Sequence, residues 1–277
     1  MKKSSVAVIM TCYNRKELTL QCLRGILDER LRLFFVIMDD GSSDGTFEAL
    51  ASFLQEQGLP FFLLRSKGNL YWAGGMRLAM RNLLDSGRCF DYVALVNDDV
   101  CFEDGALFRM IERSRDKDDM PVSGVVRGSD GNTSYGGVVY DRKRVKPTML
   151  SLEDANRFPC DTANCNCLLL PWKAFQEAGP FDAHYVHAMA DYDYGFTLQG
   201  LGYRIWLTDF FVGTCDDNPL SGSWRDRSLP RLERIRRKEA PKGLPFRQWF
   251  YYLRKNFGLS QALWHSITPY IRILLGI

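Results

Sequence analysis

The chain has 277 residues, 46% hydrophobic and 25% charged, with 36 Lys and Arg against 33 Asp and Glu and a formal net charge of +3. That composition suits a globular protein with room for one large α/β core and excludes a disordered, collagenous or disulfide-stapled chain. No apolar run reaches the roughly 18 residues of a bilayer-spanning helix, and Met1–Ser5 opens without a secretory signal, so the eight scattered cysteines are expected as free thiols in a reducing cytoplasm.

The N-terminal half alternates strand and helix signals. Val6 to Met10 is a strand-like run ending in the polar turn Thr11-Cys12-Tyr13-Asn14-Arg15, and Glu17 to Leu27 carries apolar residues at helical spacing. Leu33 to Met38 is a second buried strand. It stops at Asp39-Asp40-Gly41-Ser42-Ser43-Asp44-Gly45-Thr46, rich in turn and N-cap residues, before a helix from Phe47 to Leu54. Pro60 to Leu64 predicts a third strand, Gly74 to Leu84 a helix, and Tyr92 to Val96 a fourth strand. Strands alternating with helices imply an α/β fold with a doubly wound, mostly parallel sheet.

Beyond Asp99 the pattern loosens. Gly124 to Tyr140, rich in Gly, Ser and Val, predicts short antiparallel strands, and Cys167 to Leu170 another apolar strand closed by Pro171-Trp172. Lys173 to Ala178 and Asp191 to Gly200 read as helices, with extended structure returning at Tyr203–Leu207 and Phe211–Gly213. From Arg225 to Lys255 eleven Lys or Arg face three Asp or Glu. A basic, aromatic, helical tail (225–277) is therefore expected after a mildly acidic α/β domain (1–224).

Four polar clusters fall at predicted strand ends: Thr11–Arg15, Asp39–Asp44, Lys67–Arg77 and Asn97–Asp99. In a doubly wound sheet such loops converge on one edge, where ligands bind. Leu95-Val96-Asn97-Asp98-Asp99 is a greasy strand ending in an amide and two carboxylates. Those oxygen ligands suit Mg²⁺ or Mn²⁺, cations that bring phosphates with them; a plain turn or helix cap would use the same residue types. Around the acids, Asp40 can accept from a base N–H or ribose hydroxyls, Tyr13 can stack on a base, and Lys67 or Arg77 can neutralise phosphate. Gly74-Gly75 lets a helix start approach an anion closely. No Walker A sequence and no Gly-x-Gly-x-x-Gly follows the first strand, which disfavours NTP hydrolysis and dinucleotide redox chemistry.

Val8-Ile9-Met10-Thr11-Cys12-Tyr13-Asn14-Arg15 followed by Asp39-Asp40-Gly41-Ser42-Ser43-Asp44-Gly45 resembles the opening of the family 2 glycosyltransferases of GT-A fold. Asn69-Leu70-Tyr71-Trp72-Ala73-Gly74-Gly75-Met76 is similar to the donor-facing segment of rhamnosyltransferase-like members, and Asn97-Asp98-Asp99 falls where the family has its DxD-type metal motif. The resemblance implies a UDP- or dTDP-linked sugar donor contacted by Thr11, Tyr13, Asn14, Asp40, Trp72, Gly74, Arg77 and Asp98. It further implies a divalent cation on Asp99, inversion at the anomeric carbon, and a carboxylate base near a later helix. Ala190-Asp191-Tyr192-Asp193 looks like the family's Glu-Asp motif with Ala190 in place of Glu, which puts the base on Asp191 and leaves open whether Asp193 shares or takes the role.

Two departures from the family pattern matter. Residues 211–218 lack the late histidine that many relatives add as a further ligand, leaving Asp216 or Asp217 as stand-ins, and Arg77 stands where many relatives carry Asn. His184 and His187 are candidates for the acceptor side, with packing or surface roles equally open. In the tail, Trp249, Phe250, Tyr251, Tyr252, Phe257 and Trp264 alternate with Arg247, Arg254 and Lys255, a composition that suits a solvated face or an anionic membrane surface. The resemblance thus implies an inverting, metal-dependent glycosyltransferase at the inner face of a bacterial cytoplasmic membrane. Its acceptor would be a glycan or polyprenyl-diphosphate-linked glycan of surface polysaccharide assembly, with no nucleic-acid partner. The alternatives are a nucleotidyltransferase making a nucleotide sugar and a non-catalytic nucleotide-sugar or glycan-binding module.

Overall fold

In the computed structural model, which describes residues 3–217 and 220–276, the expected alternation is realised as β1 (Ser4–Cys12), α1 (Lys16–Ile26), β2 (Leu31–Asp39), α2 (Thr46–Glu56), β3 (Phe61–Arg65), α3 (Tyr71–Asp85) and β4 (Tyr92–Val96). Then come β5 (Cys101–Phe102), α4 (Ala106–Arg115), β6 (Val122–Arg127), β7 (Thr133–Tyr135), β8 (Gly137–Asp141) and β9 (Lys146–Met149). They lead into β10 (Thr162–Ala163), β11 (Cys167–Pro171), α5 (Trp172–Ala178), α6 (Ala190–Gly200) and β12 (Trp206–Thr214). The tail forms α7 (Arg231–Glu239), α8 (Phe246–Phe257) and α9 (Leu259–Leu275).

One sheet runs in the order β3-β2-β1-β4-β11-β6-β12-β5, with β7 added to β6. β1 pairs in parallel with both β2 and β4, β2 with β3, and β6 with β12. β11 is inserted antiparallel between β4 and β6. The chain turns back across β1, placing β2 on one side and β4 on the other, and such a reversal opens a crevice beyond the carboxyl ends of the strands. A second sheet, β10-β8-β9, is wholly antiparallel. The fold is therefore the expected α/β one, mostly parallel with a small antiparallel part and a helical C-terminal region.

The central strands read as unbroken apolar runs because both faces of the sheet are covered. Ala7 and Ile9 of β1 face one core with Met76, Met80 and Leu83 of α3, while Val6, Val8 and Met10 face another with Leu23, Leu50 and Met110. Each of the Val, Leu, Ile and Met side chains among them contributes roughly 1.5–3 kcal/mol by leaving water.

Tyr252, Leu253 and Ala262 of the tail are fully buried in the first of these cores, beside Phe175, Phe181 and Tyr194. Tyr251 Oη donates to Asp182 at 2.7 Å and Lys255 Nζ reaches Asp193 at 2.6 Å, so α8 is tied to the segment leading into α6 and to α6 itself. Among the described residues no helix is long and apolar enough to cross a membrane.

Candidate active site

The carboxyl ends of β1, β2 and β4 open into a cleft of about 440 Å³. Thr11, Tyr13, Asp40, Trp72, Asp98 and His187 line it together, joined by Arg15, Lys67 and Lys242. A second depression, about 390 Å³, lies along β3 and the end of α3 and has no basic residue in its lining.

The floor of the cleft is held by close backbone approaches. Thr11 Oγ1 donates to Met38 O at 3.0 Å, binding β1 to β2. Gly75 lets α3 settle on Thr11, since a Cβ there would collide with Thr11 Oγ1. Asn14, at φ +51°, donates its N–H to Ser42 Oγ and accepts from Ser43 N–H at 2.8 Å, which locks the β1 and β2 loops to each other. Asn14 is thus placed as a brace beside the cleft rather than in its lining.

Asp40 is buried, and its carboxylate accepts from Ser66 Oγ at 2.6 Å, Leu70 N at 3.0 Å and Tyr71 N at 2.9 Å. The anion at the start of α3 is therefore a side chain of this protein. That cap comes from thirty residues away, which is why α3 begins at Tyr71 rather than at the expected Gly74. Three of roughly four acceptor positions on the carboxylate are filled, leaving one for a ligand. Asp40→Ala is expected to cost about 2 kcal/mol, the upper end for a lost helix cap. A urea midpoint equal to that of the unmodified protein would show that water replaces those bonds without loss.

At the end of β4, Arg15 Nη1 bridges the acid pair, 3.1 Å from Asp98 Oδ1 and 2.6 Å from Asp99 Oδ2. Burial pushes the Asp98 carboxyl up to about 6, against the pull of Arg15 in the other direction, and neighbouring Asp99 adds to the rise. Asp99 Oδ1 is buried and has no hydrogen-bond partner among the described residues. Two carboxylates sharing one cation, with an oxygen still unpaired, form a donor set that a divalent ion fits. Mg²⁺ commonly takes one or two protein carboxylates and completes its shell with water and phosphate oxygens. Asn97 holds the wall, accepting from Trp72 Nε1 at 2.8 Å.

The third wall is the segment before α6. Ala73 N and Gly74 N both donate to Val186 O, and Arg77 Nη1 donates to Tyr185 O at 3.3 Å. Gly74 and Arg77 thus hold the segment that carries His187. Burial, with Lys242 and Arg15 nearby, lowers His187 to about 4, so its imidazole is neutral at physiological pH, and its Nδ1 is buried without a partner among the described residues. His184 instead pairs with Asp182 at 2.9 Å and stacks on Tyr251.

Asp191 and Asp193 have separate surroundings. Asp193 is buried and bonded to Lys255 Nζ at 2.6 Å and Asn256 Nδ2 at 2.9 Å. Asp191 has no ion pair among the described residues; burial pushes it up to about 6, partly offset by the N–H groups of Tyr192 and Cys165 and by the Asn164 side chain. Asn166 O accepts from Asn97 N at 3.2 Å, so the 164–166 stretch beside Asp191 also borders the acid-pair loop.

A family model for glycosyl transferase family 2 matches residues 7–165, more than half of the chain. The chain is a family 2 glycosyltransferase. The mannosyltransferase PcManGT from Pyrobaculum calidifontis, solved in complex with GDP-Man and Mn²⁺, has a similar fold, with a TM-score of 0.64 at 16% identity. That match covers 100% of this chain and 74% of the other. TarS of S. aureus matches with a TM-score of 0.56 at 13% identity over 98% of this chain, which spans 48% of the TarS chain. At such identities the likeness shows the shared GT-A fold. No match was found among curated proteins.

Three residues of this glycosyltransferase were not singled out by sequence. Arg15 stands in sequence at the end of a polar turn, but it faces the acid pair. Cys215, at the end of β12, has its thiol pushed up to about 12 by burial and by Asp99 beside it, whereas Asp217, further along, is exposed. Lys242 lies in the basic tail, where eleven cations in a run conceal the one that turns toward the cleft.

Proposed function

We propose that this enzyme is an inverting glycosyltransferase that moves a sugar from a nucleoside-diphosphate donor to a glycan or polyprenyl-diphosphate-linked acceptor in bacterial surface polysaccharide synthesis. The observation that carries the reading is the acid pair Asp98–Asp99, whose Asp98 lines a cleft of about 440 Å³, with Asp191, which has no ion pair among the described residues, beside the 164–166 stretch that borders the acid-pair loop. The GDP-Man and Mn²⁺ bound by PcManGT support a sugar nucleotide and a divalent ion as the corresponding ligands here, with UDP, dTDP and GDP all admitted as donor nucleotides.

In this reaction the acceptor O–H proton passes to Asp191 as the oxygen attacks the anomeric carbon. The bond from that carbon to the diphosphate oxygen breaks, and the nucleoside diphosphate leaves with the electron pair. Tyr13 and the Thr11–Asn14 turn border the nucleotide, and Asp40 offers its remaining acceptor position to a base N–H or a ribose hydroxyl. Asp99, assisted by Asp98, would hold Mg²⁺ or Mn²⁺, which supplies charge stabilisation for the departing diphosphate. A base that is raised to about 6 is ionised at neutral pH yet basic enough to accept a hydroxyl proton.

The acceptor reading is supported by α9, whose outer face carries exposed Leu259, Leu263, Trp264, Ile267, Ile271 and Leu274. An apolar stripe on a helix that follows a basic segment suits the surface of an anionic bilayer at the inner face of the cytoplasmic membrane. Incubation with UDP-, dTDP- and GDP-sugars in Mn²⁺ should release the nucleoside diphosphate from one of them, and lipid-linked glycan in vesicles should accelerate it. Release of pyrophosphate from a nucleoside triphosphate and sugar phosphate would instead identify a nucleotidyltransferase. Asp99→Ala should weaken Mn²⁺ binding to the donor-loaded protein at least tenfold, read by Mn²⁺ paramagnetic resonance; unaltered binding would remove Asp99 from the cation site.

A further inference from the structure

We propose that Lys242, delivered by the C-terminal helices, is a ligand of the donor diphosphate in the same cleft. The inference rests on the transferase reading above and adds a residue from outside the segment matched by the family model. Lys242 lies in the turn between α7 and α8, far along the chain from the strand ends, yet it lines the cleft with Asp98 and His187.

The turn that carries it is built to hold one shape. Gly243 N donates to Ala240 O and Leu244 N to Lys238 O, both at 2.8 Å. The Lys238 side chain is fully buried and donates to Leu244 O at 2.7 Å and to Glu239 Oε1 at 2.8 Å. A Cβ at Gly243 would collide with the carbonyl oxygens of Arg237 and Lys238, so only glycine fits there. The base of α8 is in turn fixed to the cleft wall, where Val186 N donates to Gln248 Oε1 at 3.2 Å. A buried lysine spent on stiffening a surface turn fixes the backbone from which Lys242 projects.

The charge pattern selects the ligand. Arg15 is engaged by both carboxylates of the acid pair, whereas Lys242 has no ion pair among the described residues. Beside it, His187 Nδ1 is buried and unbonded among the described residues. An unpaired ammonium next to an unsatisfied imidazole nitrogen suits an anion with several acceptor oxygens, and a diphosphate in this cleft supplies them. An ammonium acts there as a compact point charge. Because negative charge grows on the diphosphate as the anomeric bond breaks, Lys242 aids departure as well as binding.

Calorimetric titration of the full chain with UDP, dTDP and GDP in Mg²⁺ tests this. For the nucleotide that binds the unmodified protein, Lys242→Ala should weaken affinity about tenfold, as expected for a lost charged hydrogen bond. Lys242→Arg should restore most of that affinity, and the corresponding nucleoside should bind both proteins alike. Lys242 is exposed, so the melting temperature should not move; Lys242→Gln provides the same comparison if it does. Diphosphate affinity unchanged in Lys242→Ala and Lys242→Gln would overturn the inference and leave the transferase reading standing. If the unmodified protein neither binds any of the three nor releases them from sugar nucleotides, the transferase reading fails and the inference falls with it.

Discussion

Asp191→Asn is expected to lower transfer by about 10²–10⁴-fold, the usual contribution of a positioned general base, while leaving nucleoside-diphosphate affinity intact and raising the melting temperature. The first two effects follow from position: Asp191 lies outside the lining of the nucleotide cleft, beside the Asn164–Asn166 stretch. The third follows from charge. Burial raises the folded-state carboxyl to about 6, above its ordinary value of about 4 in an unfolded chain. Between those two values the folded protein holds a proton that the unfolded chain has released, so stability falls as pH rises through this window. Above about pH 6 the whole cost of an ionised, half-buried carboxylate is present, and asparagine, which cannot ionise, removes it. Melting curves should therefore separate at pH 7.5 and converge below pH 4. With enough cation to keep Asp98 ionised, the acid limb of kcat/KM should lie near pH 6, two units above an ordinary carboxylate. A limb near pH 4, or full turnover in Asp191→Asn, would move the base to another residue.

Local pattern revealed most of this fold. Residue runs such as Val6–Met10 and Leu33–Met38 are apolar without alternation because helices cover both sheet faces, and that signal survives without knowledge of the partners. The order of polar loops along the chain also placed Thr11, Tyr13, Asp40, Trp72 and Asp98 at one edge, where they meet. What sequence could not show is which polar groups satisfy one another. Asp40 reads equally well as a base-binding acid or a helix cap until Leu70 and Tyr71 are seen donating to it. Arg15 belongs by spacing to a turn, and only the pairing of β1 with β4 brings it to the acids. Long-range partners carry no local period, so cross-chain polar contacts are the part of a site that spacing hides.

The same limit governed Asp191 and Asp193, which are two residues apart and chemically equal in sequence. The tail separates them, because Lys255 and Asn256 of α8 engage Asp193, whereas Asp191 has no ion pair among the described residues. Removing the two partners of this bridge should have unequal consequences. Asp193 is 2% exposed, whereas the Lys255 side chain is 35% exposed and can return to water when its partner is neutralised. Asp193→Asn should therefore be mild, within about 1 kcal/mol, since the ammonium keeps access to solvent. Lys255→Met leaves a buried carboxylate without its cation and should cost about 3 kcal/mol, near the low end for breaking a buried pair. Urea midpoints of the two variants measure this directly. Equal losses in the two variants would mean that the bridge is a surface contact and that α8 is held to α6 by its aromatic packing alone.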